Sequence, residues 1–296
     1  MSSWMLIFFY LFIGLLFRKL DFLPEKTSSA LNKVIINLCL PALVINQMSG
    51  FDFQVDHFFA LFLHWVLLGL LFLIVLALSK ILNLDKKTIG CLLLLVPLGN
   101  TSFLGYPMVE SFFGQRYLAY GIIYDQLGSF LALSIYAPLV LNFYSSKKRN
   151  MGLFKKVVFF PPFLALVFSL LFGSYLSHPS VEGLLNPFSK GIIPLAMVSV
   201  GLQLDHRLKK QKGLLFLGLF LKMVMAPFLA FLITLSFGHL DPLKKVAIFQ
   251  SGMPPMITAA LLAFEDDLNG ELALSLMSWG VLVSFGTLPI IYFFLK

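Results

Sequence analysis

Long apolar segments separated by short polar loops run along the whole chain. Ten of them are candidates for membrane-spanning helices, which need about 20 residues each, although the first has only 15. The ten predicted spans are Ser3–Phe17, Leu31–Ser49, Phe58–Leu82, Thr88–Gly114, Tyr117–Tyr144, Val157–Leu176, Gly183–Leu204, Gly213–Phe237, Lys244–Phe264 and Leu272–Phe294. The apolar runs are continuous and lack the two-residue alternation of a transmembrane β-barrel. The pattern therefore predicts an all-α polytopic membrane protein.

The fourth predicted span is interrupted at its centre by the sequence VPLGNTSFLGYP, residues 96–107. The helix-breaking residues of this stretch are Pro97, Gly99, Gly105 and Pro107. Proline removes a backbone donor, and in hydrocarbon the freed groups are tolerated only inside protein or beside a water-filled cavity. The 11 residues from Thr88 to Leu98 cover about 16 Å, which is half of the bilayer core. The break is therefore expected near the membrane midplane, where secondary transporters bind their substrates.

A second interruption, QSGMPP at residues 250–255, contains the helix breaker Gly252 and lies at a corresponding position of the second half. Pro41 precedes Thr101 by 60 residues, and Pro194 precedes Pro254 by the same 60 residues. Thr101 and Pro254 are 153 residues apart. Interrupted spans at corresponding positions of two halves indicate a transporter binding site. The spacing predicts an internal repeat.

Each predicted half, 1–144 or 157–296, contains five spans, and the basic cytoplasmic segment 145–156 joins them. Because five is an odd number, the halves are expected to lie inverted in the membrane. The two broken spans then enter from opposite sides, and the second part of each begins near the midplane with unpaired N–H groups and a positive dipole end. Two such ends facing a cavity would favour an anion.

Composition and charge support a membrane location and predict the orientation. Charged residues make up 12% of the chain, against about 25% in soluble domains, and the mean hydropathy is +0.91. With the N-terminus outside, 16 of the 22 Lys and Arg residues lie in cytoplasmic loops, five lie outside and Lys222 lies within a span. This asymmetry predicts that both termini are outside, and it accounts for the net charge of +8 without nucleic acid. Because no basic region precedes the first apolar run, we expect an uncleaved span and not a signal peptide.

The sequence gives no indication of a cofactor, a metal site or a disulfide. Cys39 and Cys91 both lie in apolar spans and have no matched histidine. An intramembrane enzyme needs a nucleophile with a base, or several metal ligands, and the sequence offers neither. A channel more often has rings of charge or a filter motif. We therefore expect a carrier and not an enzyme, with an anion channel as the alternative.

Four segments resemble the auxin efflux carrier family of membrane transport proteins, which includes the plant PIN carriers and many bacterial members. They are LPALV at Leu40–Val44, GNTSFLGYPMV at Gly99–Val109, IPLAMVSVGLQL at Ile193–Leu204 and SGMPPMITAALLA at Ser251–Ala263. The resemblance covers nearly the whole chain. The linker 145–156 is short where plant long carriers have a bulky loop. This places the chain closer to bacterial members, in a bacterial cytoplasmic membrane, and argues against auxin as the substrate.

The resemblance implies ten spans in two inverted five-helix repeats, with helices four and nine as crossovers. Helices one, two, six and seven would form a scaffold, and helices three to five and eight to ten a transporter domain with an elevator-like motion. It also implies a homodimer in the lipid bilayer that moves a small organic anion. The substrate-binding residues expected at or beside the motifs are Asn100, Thr101, Ser102, Gln126, Met253, Pro254 and Pro255.

Asp125 is the residue expected to couple transport to protons. A carboxyl group within a span is costly and is a functional candidate by default, and it would bind and release a proton during the transport cycle. The alternative is a structural carboxyl group satisfied by neighbouring hydroxyls or by Lys222. Sodium is the alternative coupling ion, bound by unwound backbone carbonyls with Asn100, Thr101 or Gln126.

Each of the other polar residues within spans has two possible roles. Lys222 is expected to snorkel toward the cytoplasm or to form a structural pair, with binding of an anionic substrate as the alternative. Asn46 and Gln47 on helix two would either contact substrate or form interhelical hydrogen bonds. His64 is expected to be packed or interfacial.

Overall fold

The computed structural model describes residues 3–24, 26–147, 159–204 and 211–296. The helices of this part of the chain are α1 Ser3–Lys19, α2 Thr27–Met48, α3 Val55–Ile81, α4 Lys86–Leu95, α5 Gly105–Phe113, α6 Gln115–Tyr144, α7 Pro161–Leu176, α8 Pro179–Gln203, α9 Lys212–Leu235, α10 Pro242–Ser251, α11 Ile257–Glu265 and α12 Gly270–Leu295. The all-α prediction is confirmed for these residues. Most of the predicted linker 145–156, and the predicted start of the sixth span at Val157, lie outside them.

Six of these helices are long and apolar enough to cross a membrane: α2, α3, α6, α8, α9 and α12. Helices α1 and α7 have 17 and 16 residues, fewer than the usual ~20. The fourth and ninth predicted spans are each divided into two shorter helices, α4 with α5 and α10 with α11. The arrangement is that of a multi-pass membrane protein, and the ten-span inverted repeat stays a prediction.

The chain is organised as two compact units. The first draws on Met1–Asp56, Ser102–Ile122 and Lys155–Leu204, and the second on the three stretches between and after these. The first unit therefore holds α1, α2, α5, α7 and α8, and the second holds α3, α4 and α9 to α12. Helix α6 contributes to both. Each unit draws on both predicted halves of the sequence.

In the first unit, the backbones of α1 and α8 are in close contact. A Cβ atom on Gly14 would lie 2.3 Å from the carbonyl oxygen of Val198, and one on Gly201 would lie 2.4 Å from that of Leu11. Small residues allow such close approach in a bilayer, where van der Waals packing drives helix association. Both glycines are therefore required by the packing of this helix pair.

In the second unit, the 26-residue helix α12 spans about 39 Å and shows where α4 and α10 begin. The start of α4 lies at the N-terminal end of α12, where Asn269 Nδ2 donates to Thr88 Oγ1 at 2.9 Å. The start of α10 lies at the other end, where Lys245 Nζ donates to the main-chain oxygen of Lys296 at 3.3 Å. The two broken spans therefore begin at opposite ends of this unit.

A cluster of polar residues joins several elements at the end of the second unit where α4 begins. Asp85 caps α4, because its carboxylate accepts from the hydroxyl of Thr88 at 2.6 Å and from the N–H groups of Lys87 and Thr88 at 3.0 and 3.1 Å. The hydroxyl bond, and then these N–H bonds, hold the pKa of Asp85 below its usual range. Lys87 also forms an ion pair with Asp267 at 2.6 Å, and Ser146 donates to the same carboxylate at 2.8 Å. The cluster joins α4, the end of α6 and the α11–α12 turn.

Candidate functional site

Two short segments of the broken spans, residues 98–100 and 254–256, pair through their backbones within the second unit. The N–H of Asn100 donates to the carbonyl of Pro254 at 2.8 Å. The N–H of Met256 donates to the carbonyl of Leu98 at 3.0 Å. An unpaired backbone group in hydrocarbon costs several kcal/mol. Each break therefore satisfies backbone groups that the other break leaves free.

A glycine on α12 lets these paired segments lie against that helix. Gly99 and Pro255 face each other as an isolated antiparallel bridge. A Cβ atom on Gly280 would lie 2.6 Å from Pro255 Cδ and 3.1 Å from Pro254 Cβ. A proline ring cannot turn away as a flexible side chain does, so the absence of a side chain at Gly280 is a condition of this packing.

The predicted helix-breaking residues lie at or beside helix ends. Pro97 and Gly99 lie in the non-helical segment between α4 and α5. Gly105 and Pro107 lie in the first turn of α5, and Gly252 directly follows the last residue of α10. A proline is tolerated in a first helical turn because the N–H groups there have no intrahelical acceptor.

Lys222 on α9 binds the C-terminal ends of both first half-helices. Its Nζ donates to the carbonyl of Ser251, the last residue of α10, at 3.1 Å, and to that of Pro97, just beyond α4, at 3.4 Å. Helix dipoles place partial negative charge at these ends, which the ammonium group compensates. Only 3% of Lys222 is exposed. Of the two expected roles, snorkelling or a structural pair, snorkelling is wrong, because carbonyls inside the protein bind the ammonium group.

Asp125 is linked to the first break by its neighbours. Thr101 Oγ1 donates to one carboxylate oxygen at 2.5 Å, and Gln126 Nε2 donates to the other at 2.9 Å. Gln250 Nε2, on α10, donates to the carbonyl of Thr101 at 3.1 Å. All four residues are buried. A hydrogen-bonded path therefore leads from α6 through the first break to the helix that precedes the second.

Both charged side chains lie on π-helical turns, in which the regular hydrogen-bond ladder is widened. Asp125 is in the turn Tyr124–Phe130 of α6, and Lys222 is in the turn Leu221–Met225 of α9. Pro227 follows the second turn and supplies no backbone donor, which accounts for the irregular ladder there. Turns of this kind are frequent at functional sites.

Two buried amide atoms at the breaks have no hydrogen-bond partner in the part of the chain that the structure describes. They are Asn100 Nδ2, a donor, and Gln250 Oε1, an acceptor. A buried polar atom left unpaired costs about 1–3 kcal/mol. The described residues therefore leave one donor and one acceptor unsatisfied at the breaks.

The remaining predicted site residues have separate positions. Met253 is buried within the second break. Asn46 lies in the first unit, where its Nδ2 donates to Ser189 Oγ at 3.1 Å, which is the interhelical use considered for it. Gln47 is half-buried on the same helix, and Ser102 lies in the turn before α5. A part for these four residues in substrate binding stays a prediction.

Sequence reasoning did not include Gln250 or Ser251 among the binding residues, and it gave anion binding by Lys222 only as the alternative. Gln250 and Ser251 are the last two residues of α10. The sequence signal that could have found them is their place at the start of the second interruption, directly before Gly252, since the last carbonyls of a helix lack intrahelical partners. Lys222 was noticed as a charged residue within a span, but no local signal indicates its carbonyl partners.

His64 is packed, as expected, against α6. A Cβ atom on Gly128 would lie 2.7 Å from the imidazole ring of His64. The imidazole and the ring of Tyr124 form a T-shaped contact with centroids 5.2 Å apart. Within the described ranges, neither ring nitrogen has a hydrogen-bond partner. These ranges also contain no group of three His, Cys, Asp or Glu side chains placed to hold a metal ion.

Comparison with known proteins identifies the family. The family model described as membrane transport protein matches residues 1–152 and 144–292. An uncharacterized transporter of Methanothermobacter thermautotrophicus is 27% identical over 292 residues, which cover 94% of this chain and 92% of the relative. An uncharacterized transporter of Methanocaldococcus jannaschii is 28% identical over 278 residues, with 89% and 88% covered. Both relatives are archaeal, so a bacterial membrane stays a prediction. The chain belongs to the membrane transport protein family, the family of the auxin efflux carriers, and is a membrane transporter.

Proposed function

We propose that this protein is a secondary transporter that moves a small organic anion, such as a carboxylate, across the cytoplasmic membrane by alternating access. The pairing of two broken spans beside the buried ammonium group of Lys222 carries this proposal. An anion needs positive charge and free donors, which Lys222 and Asn100 Nδ2 supply. Helix α11 adds its positive N-terminal end, which begins two residues after Pro255.

In this proposal, Asp125 is the proton-coupling residue. Its carboxylate accepts from Thr101, which lies in the first break, so a change in its protonation alters a hydrogen bond at the break itself. A sodium-coupled symporter is the second candidate. The ammonium group of Lys222 already occupies two break carbonyls that would otherwise be available to sodium, and this favours protons.

We further propose that the first, second, sixth and seventh of the ten predicted spans form the scaffold and that the other spans form the transporter domain. We also propose that the protein is an elevator-type homodimer with both termini outside. The backbone pairing of residues 98–100 with residues 254–256, all in the second unit, supports the movement of these two segments as a single body.

Uptake into proteoliposomes tests the transport proposal. The purified protein should take up one or more labelled mono- or dicarboxylates with saturable kinetics and faster uptake in a proton gradient. No uptake of any acid in the panel, with or without the gradient, would count against the proposal. Very fast flux that does not saturate would instead favour an anion channel.

The role of Asp125 is tested with the acid that the wild type transports. Asp125→Asn should remove the dependence of uptake on the proton gradient, while binding of the acid stays measurable by thermal shift. Asp267→Asn, which changes an aspartate in a loop of the same unit, should keep the proton dependence. Unchanged proton dependence in Asp125→Asn would remove this residue from the coupling mechanism.

A further inference from the structure

We infer that the ammonium group of Lys222 fills a binding site for a monovalent cation, and that removing this side chain opens the site to a small cation from solution. Nζ donates to two backbone carbonyls, those of Ser251 at 3.1 Å and Pro97 at 3.4 Å. Carbonyl oxygens only accept hydrogen bonds, so both partners favour a positive charge at this point. The side chain is buried, so the charge is held away from solvent.

The carbonyls of this site do not depend on Lys222 for their position. Ser251 ends α10, and Pro97 lies between α4 and the residues that pair with the second break. The backbone bonds of Asn100 to Pro254 and of Met256 to Leu98 hold the two segments together. Unwound carbonyls and helix C-terminal ends are also the groups that coordinate sodium in transporters with broken helices. The geometry therefore suits a cation in general.

Gly99 provides the space in which the ammonium group lies. A Cβ atom at this position would be 3.0 Å from Lys222 Nζ and 3.2 Å from its Cε. The same Cβ position is 3.5 Å from the carbonyl oxygen of Met253, a further acceptor beside the site. Shortening Lys222 to alanine would therefore leave a cavity with carbonyl groups on its wall and no positive charge to balance them.

The inference concerns the same site as the proposed function. Its consequence for ion coupling rests on that function. If the tethered ammonium takes the place of a coupling cation, transport by the wild type needs no sodium. Cation binding is measured without any organic anion, so its failure and a failure of the transport proposal are seen in separate experiments.

The experiment compares the melting temperature of purified wild type and Lys222→Ala in choline, sodium, potassium and methylammonium chloride at equal ionic strength. We expect the wild type to melt at one temperature in all four salts. Lys222→Ala should melt lower in choline and regain about 4 °C when sodium, potassium or methylammonium reaches about 100 times its Kd. One melting temperature for Lys222→Ala in every salt would overturn the inference.

Lys245→Ala is the matched control, because Lys245 Nζ also donates to a main-chain oxygen, that of Lys296 at 3.3 Å, but at an exposed position. It should show no difference between choline and the small cations. If Lys222→Ala cannot be purified, Lys222→Ser, which also removes the charge and empties most of the site, is measured in the same salts. Stabilisation of Lys222→Ser by a small cation supports the inference, and its absence overturns it.

Discussion

At the scale of single residues, Gly280 decides whether the paired breaks can lie against α12. Gly280→Ala would place a Cβ atom 2.6 Å from the ring of Pro255. Overpacking against a rigid group costs about 1–3 kcal/mol, and we expect the melting temperature and transport to fall together. Gly286→Ala on the same helix is the control, because its Cβ meets nothing within 4 Å and alanine favours the helix. Equal melting temperatures for the two variants would contradict the close contact at Gly280.

Lys222 shows why part of the site could not be predicted from the sequence. Its depth in the span is equally compatible with snorkelling, pairing and ligand binding. The choice depends on two carbonyls that lie 125 and 29 residues away in sequence, at Pro97 and Ser251. The breaks themselves were predictable, because proline and glycine act on the backbone where they stand. Their partners depend on tertiary packing, which one sequence does not reveal.

At the scale of secondary structure elements, the N-terminal cap of α4 depends on the Asp85 carboxylate. Asp85→Ala should lower the stability by about 1 kcal/mol, whereas Asp85→Asn keeps a good capping group and most of the stability. The measurement is thermal unfolding of both variants and the wild type at pH 7. If Asp85→Asn is as unstable as Asp85→Ala, the charge and not the cap is responsible.

The same cap predicts a dependence on pH. The pKa of Asp85 in the folded protein lies below the usual value of 3.8, chiefly because the hydroxyl of Thr88 donates to its carboxylate. The part of the stabilisation that depends on the ionised carboxylate is therefore fully present above pH 3.8 and is lost as the pH falls through the lowered pKa. The difference between wild type and Asp85→Ala should be constant from pH 7 to pH 5 and shrink below about pH 4. A difference that already shrinks between pH 7 and pH 5 would contradict this assignment.

Helix ends were predicted less well than helix positions. Helix α10 begins at Pro242, two residues before the predicted start at Lys244. Its first turn follows from local chemistry, since Asp241 accepts from the N–H of Lys244 at 2.9 Å and proline suits the first helical position. The prediction followed hydropathy, which does not register a cap formed by polar residues.

At the scale of the whole molecule, the predicted orientation assigns each end of the second unit to one side of the membrane. Lys87 and Lys147 lie at the end where α4 begins, beside the α11–α12 turn, and Lys147 donates to the carbonyl of Glu265 there. Lys245 lies at the other end, beside Lys296. If both termini are outside, the first end faces the cytoplasm and the second faces outward.

Cysteine labelling in intact cells tests this orientation. The native cysteines, Cys39 and Cys91, are buried, with 2% and 0% exposed, so a membrane-impermeant maleimide should give little background. Lys245→Cys should react in intact cells, whereas Lys147→Cys should react only after the membrane is opened, because the positive-inside rule places the more basic loops in the cytoplasm. The reverse pattern would invert the orientation. Reaction of both variants in intact cells would contradict the assignment of the two ends to opposite sides of the membrane.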